Sequence, residues 1–169
     1  MPVNSAADLS LLVVRVSVAI VLVAHGYNHM ALGGRMAGTA RWFEGLGMRP
    51  GILHAWLASL TEVGAGTLLA LGAVTPVACA GIIGTMVVAW VTNHRQNGFF
   101  IFRPGEGYEY VMTLTFVAVG LAGVGAGRWS VDRGLGWFDP PGWPGLLTAT
   151  VLGFGGAAAL LATFWRPAR

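Results

Sequence analysis

Charge is what this chain has least of. Only 10% of its 169 residues are Asp, Glu, Lys or Arg, against about 25% in an ordinary globular domain. Lysine is absent, so all ten basic residues are arginine; that reads as a base-composition bias and carries no function. Cysteine is nearly absent too. Cys79 stands alone in an apolar run, which excludes an internal disulfide and a cysteine-built zinc site. There is no phosphate loop, no nucleophile elbow and no Gly-x-Gly-x-x-Gly between a strand and a helix. Gly123-Val124-Gly125-Ala126-Gly127 is rich in glycine but closes an apolar run, which suits close packing and not a nucleotide. The pI of about 9.8 comes mostly from arginines between apolar runs. In such a chain it speaks of topology and lipid contact, not of nucleic acid.

Apolar residues fill the space that charge leaves. They make up 55% of the chain, and the mean hydropathy is +0.67. Roughly 20 apolar residues cross the hydrocarbon core of a bilayer, and five stretches qualify: Leu9–Met30, Leu53–Leu71, Val74–Asn93, Tyr108–Gly127 and Pro144–Trp165. The first lacks a basic leader and holds Arg15 within its apolar part, so it reads as a retained helix and not a cleaved signal. Gly72-Ala73-Val74-Thr75-Pro76 is short enough to make the second and third helices an antiparallel hairpin. Glycine suits the end of one helix there, threonine the cap of the next and proline its first turn. Twenty-six glycines suit a bundle in which helices approach closely. Between the first two spans, Trp42, Phe43 and Leu46 fall on one side of a short helix and Arg41 and Glu44 on another, the pattern of a helix lying in the interface.

Arginines set the orientation. Arg35, Arg41, Arg49, Arg95, Arg103, Arg166 and Arg169 fall on one side of a five-span chain, and Arg128 and Arg133 on the other. The positive-inside rule makes the first side cytoplasmic. The expectation is a multi-pass protein of a bacterial inner membrane, N-terminus outside and C-terminus inside.

Polar residues inside the spans carry the functional signal, because a bilayer tolerates them only with a partner or water. Arg15 in the first helix and Glu62 in the second fall at similar depth when counted from the expected helix ends. They are therefore expected to pair across the bundle. A second group gathers at the opposite ends of the helices. His25 and His29 share a helix face at i,i+4. His54 begins the second helix, His94 ends the third, and Glu106 and Glu109 open the fourth. Tyr27, Trp90, Tyr108 and Tyr110 lie at the same level. Such a layer is expected at any membrane interface as a polar and aromatic belt. It also suits three kinds of ligand. Imidazoles with a carboxylate bind a divalent metal, and imidazole binds haem iron. His, Tyr and Trp around an apolar cleft hold a quinone head, with His relaying a proton. The candidate quinone or polar site is His25, Tyr27, His29, Trp90, His94, Tyr108 and Glu109. A quinone stands first among cofactors, ahead of haem or a divalent metal, and no metal ligand set is assigned.

Several short motifs resemble the DoxX family of small bacterial membrane proteins. They are Arg15, His25-Gly26, Phe43…Leu46-Gly47…Pro50, Glu62-x-Gly64-x-Gly66, Leu71-Gly72…Thr75-Pro76, Tyr108…Tyr110 and Gly125-x-Gly127…Ser130-x-Asp132. The resemblance runs from about Leu12 to Asp132. It implies a four-helix membrane core and a link to quinone-coupled redox chemistry. This sequence carries His29 where members commonly have Lys, and it appends the uncharged span Pro144–Trp165. The fold expected is thus an all-α integral membrane protein. A four-helix transmembrane bundle occupies residues 1–132, and residues 133–169 form an interfacial connection and a fifth, peripheral transmembrane helix. The function expected is an accessory subunit of a respiratory or other membrane oxidoreductase complex, in contact with lipid and with other membrane subunits. A stand-alone quinone-linked oxidoreductase and a small-solute transporter are the alternatives. Broken-helix pairs and inverted repeats, the marks of many transporters, are not detected.

Overall fold

The computed structural model describes residues 5–32, 34–137 and 142–167. Among the described residues the elements are helices: α1 (Ser5–Ala31), α2 (Arg35–Gly45), α3 (Gly51–Leu71), α4 (Thr75–Ala89), α5 (Glu109–Val124), α6 (Val131–Leu135) and α7 (Trp143–Phe164). A π-helical turn, Trp90–His94, continues α4. With that turn α4 joins α1, α3 and α7 as four helices long and apolar enough to span a membrane, and α5 is a shorter apolar one. The all-α membrane bundle expected from the sequence is what the chain forms.

Small residues decide how these helices meet. A Cβ on Gly26 of α1 would come 2.8 Å from the Ser59 carbonyl of α3, and one on Gly66 of α3 3.1 Å from the Ala19 carbonyl of α1. On α7, a Cβ at Gly153 would sit 2.7 Å from Ile83 of α4. Such contacts let backbones approach where no hydrophobic drive separates helix from lipid. The resulting core holds Leu22, Leu69, Cys79, Ile82, Ile83 and Ala118. The fifth span, α7, lies on the outside of α4, burying Ala149, Gly153 and Ala157 and exposing most of the rest.

One end of the bundle is a polar lock. Arg15 is fully buried, and its Nη1 donates to the carbonyls of Leu69 and Ala70, both at 3.2 Å. These belong to the last turn of α3, where carbonyls lack helical partners and favour a cation. Its Nη2 donates to the Trp129 carbonyl at 2.6 Å. Beside it, Asp132 caps α4 from 57 residues away. Val74 N donates to Oδ1 at 2.6 Å, and Thr75 N and Thr75 Oγ donate to Oδ2 at 2.9 and 2.6 Å. A cation thus closes one helix of the hairpin and an anion opens the next. Gly72, in the left-handed region at φ 63°, lets the chain turn against the Arg15 guanidinium; a Cβ there would collide with Nη1. Thr75 does not cap the helix itself, as the sequence suggested; it is the first residue of α4 and leans on Asp132. A second acidic residue, Asp8, accepts from Arg128 N at 2.9 Å.

The expected Arg15–Glu62 pair does not form. Arg15 spends Nη1 on carbonyls at the end of α3 and Nη2 on the Trp129 carbonyl, and the group facing Glu62 is His29, at 3.6 Å. The reason is register. Helix α1 starts at Ser5 and runs 27 residues, so its first turns outrun α3. Arg15 therefore stands level with Leu69 and Ala70, whereas Gly26 packs on Ser59 and Glu62.

The opposite end ties loops to helix ends. Thr39 Oγ on α2 donates to the His29 carbonyl at 2.8 Å. The end of α7 is fastened to residues 46–49: Trp165 Nε1 donates to the Leu46 carbonyl at 3.0 Å and Arg49 N to the Phe164 carbonyl at 3.2 Å. Arg95 lies over the Trp165 ring. Trp165, at the end of the last span, is therefore turned onto the protein. His94 Nδ1 meets the Glu106 carbonyl at 2.9 Å, closing the 95–107 loop.

Candidate functional site

At this second end the helices leave a cavity of about 540 Å³. Its polar part is built from four helices and one loop. Helix α1 supplies His25 and His29, and α3 supplies His54, Thr61 and Glu62. The π turn supplies Thr92, Asn93 and His94, and α5 Tyr110; Glu106 comes from the loop before α5. Helix α2 lays Trp42 and Phe43 across the end. Antiparallel packing is what brings these together, since alternate helix ends recur at one level.

The side chains hold one another by rings more than by hydrogen bonds. His25 stacks on Tyr110 with centroids 5.6 Å apart, and His29 on Phe43 at 6.4 Å. His54 meets Phe164 edge-on at 5.2 Å and Phe43 at 6.2 Å. Two groups are left with unmet capacity. Glu62 is 6% exposed, and its Oε2 makes no hydrogen bond; His29 Nε2 at 3.6 Å lies beyond hydrogen-bond reach. His54 is 2% exposed, and its Nε2 has no partner. An orphaned buried polar atom costs on the order of 1–3 kcal/mol, and such atoms are rare away from sites that something else completes.

Not all the residues expected at the site are in it. His25, His29 and His94 line the cavity. Tyr27 is 58% exposed and edges a separate surface recess on α1 and α3. Trp90 and Tyr108 stack on each other at 5.5 Å and pack on the main core. Glu109 starts α5, where its backbone N donates to the Phe99 carbonyl at 2.9 Å. Glu62, expected to clamp Arg15, is instead a wall of the cavity. His54, Thr61, Glu106 and Tyr110 complete the lining outside the expected set. Their depth was readable from the sequence, but the face they turn was not.

The donor set decides what the polar end can do. Among the described residues no three His, Cys, Asp or Glu side chains converge on a point that would hold a metal ion. What is present is an imidazole beside a carboxylate, a second buried imidazole, and hydroxyls on Thr61, Thr92 and Tyr110. Such groups exchange protons with, and hydrogen-bond to, a neutral oxygen-bearing head. Beyond them the lining is apolar, with Leu57, Ala58, Gly84, Leu152 and Gly156 among its members.

Comparison with known proteins adds one finding. The DoxX family model matches residues 10–95, about half of the chain. The match takes in α1 to α4 and the π turn, and stops short of Glu106, Tyr110, Asp132 and α7. No curated protein and no solved structure matches the chain.

Proposed function

The chain belongs to the DoxX family of membrane proteins, and from that premise we propose that it is a quinone-binding subunit of a membrane oxidoreductase assembly. The observation that carries the proposal is the pair of orphaned polar groups, Glu62 and His54, in the polar part of a cavity whose lining is otherwise mostly apolar. A quinone has carbonyl oxygens on a flat ring, and when bound it supplies electron transfer coupled to protons. His29, His54 and Glu62 would hold its head. His29 would hydrogen-bond a carbonyl, with the Glu62 carboxylate 3.6 Å from its Nε2. Phe43 and Trp42 shield the head from water on the side of α2. These side chains handle protons; electrons come from a partner subunit, which makes the accessory role the better fit.

The test is direct. Protein purified from its native membrane in mild detergent is expected to release about one equivalent of quinone on organic extraction, and mass spectrometry of the native complex to show oxidoreductase subunits. A chain that migrates alone and carries no quinone would sink both halves of the reading.

The same proposal places the cavity end at the cytoplasmic face of a bacterial inner membrane. That end carries Arg35, Arg41, Arg49, Arg95, Arg103 and Arg166, against Arg128 and Arg133 beside the lock. Cysteines at Gly45 and Gly134 check it, since both positions are exposed with open space around an added Cβ. The native Cys79 is fully buried. An impermeant thiol reagent applied to spheroplasts is expected to label Gly134→Cys, and Gly45→Cys only after lysis; the reverse order overturns the orientation.

A further inference from the structure

The cavity does not end at the polar layer. Along α4 its lining runs through Val77, Gly81, Gly84, Val88 and Thr92. These residues are three or four apart and so form one ridge of the helix. From Val77 to Thr92 the ridge is about 22 Å long at ~1.5 Å per residue, most of a hydrocarbon core. Helices α3 and α7 each pack on α4 and supply the walls: Leu57 and Ala58 on one side, Leu152, Gly156 and Leu160 on the other. The cavity is therefore a groove with α4 as its floor. Its polar end is the one that holds His29, His54 and Glu62. Leu57, Val77 and Leu152 line it and are also 43%, 44% and 55% exposed. Three helices thus present lining residues on the lipid-facing surface, and the groove opens sideways into the bilayer.

Glycine keeps this groove open without a packing reason at every point. Gly153 is needed for contact, since a Cβ would press on Ile83. Gly156, one turn on, has nothing within 4 Å of an added Cβ, yet it lines the groove. A side chain there would fill the groove and strain nothing.

We propose that the ligand is a long-tailed, membrane-dissolved quinone whose tail lies along α4 between α3 and α7, having come in through that lateral opening. The proposal rests on the quinone reading above and adds the tail to it. Helix α7, outside the matched family region, then acts as the tail wall and selects tailed quinones over small ones. A tail lying in the groove adds affinity through van der Waals contact with its walls, since the lipid it leaves is equally apolar, and a leucine in its path removes those contacts.

The test uses the full-length protein in nanodiscs with two probes: a decyl-substituted benzoquinone and its tail-less dimethoxybenzoquinone analogue. Bound quinone is measured by extraction after subtraction of empty discs. Gly156→Leu and, on the facing wall, Leu57→Trp are expected to weaken binding of the decyl compound at least tenfold and to leave the tail-less one within twofold. Gly155→Leu is the control, because Gly155 also has open space but does not line the groove; it is expected to change neither. Equal affinity of the wild type for both probes, with no effect of either groove variant, would overturn the tail site and leave the head site standing. A phospholipid recovered at one equivalent and not displaced by the decyl compound would also overturn it. If neither probe binds the wild type, the head reading itself fails and the tail proposal falls with it.

Discussion

Asp132→Ala is expected to be the most destabilising single substitution in the chain, by about 4 kcal/mol. Asp132 is 4% exposed and accepts from two backbone amides and one hydroxyl of the α4 start. Hydrogen bonds to a charged acceptor contribute roughly 1.5–3 kcal/mol each, and breaking a buried charge arrangement costs about 3–5 kcal/mol. The larger effects do not add, because the freed amides at a helix start can recover water. Alanine would leave Arg15 facing only carbonyls. Unfolding in detergent, followed by circular dichroism against added denaturing surfactant, measures the loss. Asp132→Asn is expected to recover part of it, since one amide oxygen can still accept. A change below about 1 kcal/mol for the alanine variant would mean that the α4 cap contributes little.

The second large effect separates stability from binding. Glu62→Leu is expected to leave unfolding within about 1 kcal/mol of the wild type, or to raise stability, while the quinone recovered with the protein falls at least tenfold. Glu62 carries a buried oxygen with no hydrogen bond, and its ion-pair partner lies at 3.6 Å. An apolar residue of similar volume at such a site is often neutral or stabilising. Were Glu62 the clamp of the bundle, its removal would cost about 3–5 kcal/mol; that result would reassign it to structure. His29→Ala is expected to lower quinone recovery in the same way, by taking away the other half of the pair. The two ends of the bundle thus divide the work. Arg15 and Asp132 have nearly every polar atom answered, apart from Arg15 Nε, and hold the helices. Glu62 and His54 each keep a buried atom unanswered, as expected where function breaks a local rule.

Depth was legible in the sequence and azimuth was not. Apolar run length fixed the spans and their alternation. From those it follows that His25, His29, His54, His94 and Glu106 lie at one end, and all five line one cavity. Which way a residue turns on a uniformly apolar helix has no such signature. Helices α4 and α5 show no polar stripe to orient them, so Trp90 and Tyr108 pointed to the core stack while Tyr110 faced the cavity. The Arg15–Glu62 expectation failed on a finer matter. It took the outer ends of α1 and α3 to be level, whereas Arg15, well inside α1, meets Leu69 and Ala70 in the last turn of α3, so α1 runs past α3 at that end. The Asp132 cap was beyond local reading altogether. A cap supplied by its own helix shows as Ser, Thr, Asp or Asn at the first position; α4 has Val74 there, and its anion comes from a segment 58 residues on. Asp132 was legible only as part of a family-like motif, without a role.

The proposed sideways entry into the groove has a consequence for how occupancy is counted. A ligand that reaches the site through Leu57, Val77 and Leu152 never leaves the bilayer, so its relevant concentration is its mole fraction among the lipids. Membrane-dissolved compounds are crowded into a thin sheet, and a site that looks weak on an aqueous scale fills readily there. Occupancy then follows the composition of the membrane: diluting the cell suspension leaves it unchanged, while enlarging the lipid pool at fixed ligand empties it.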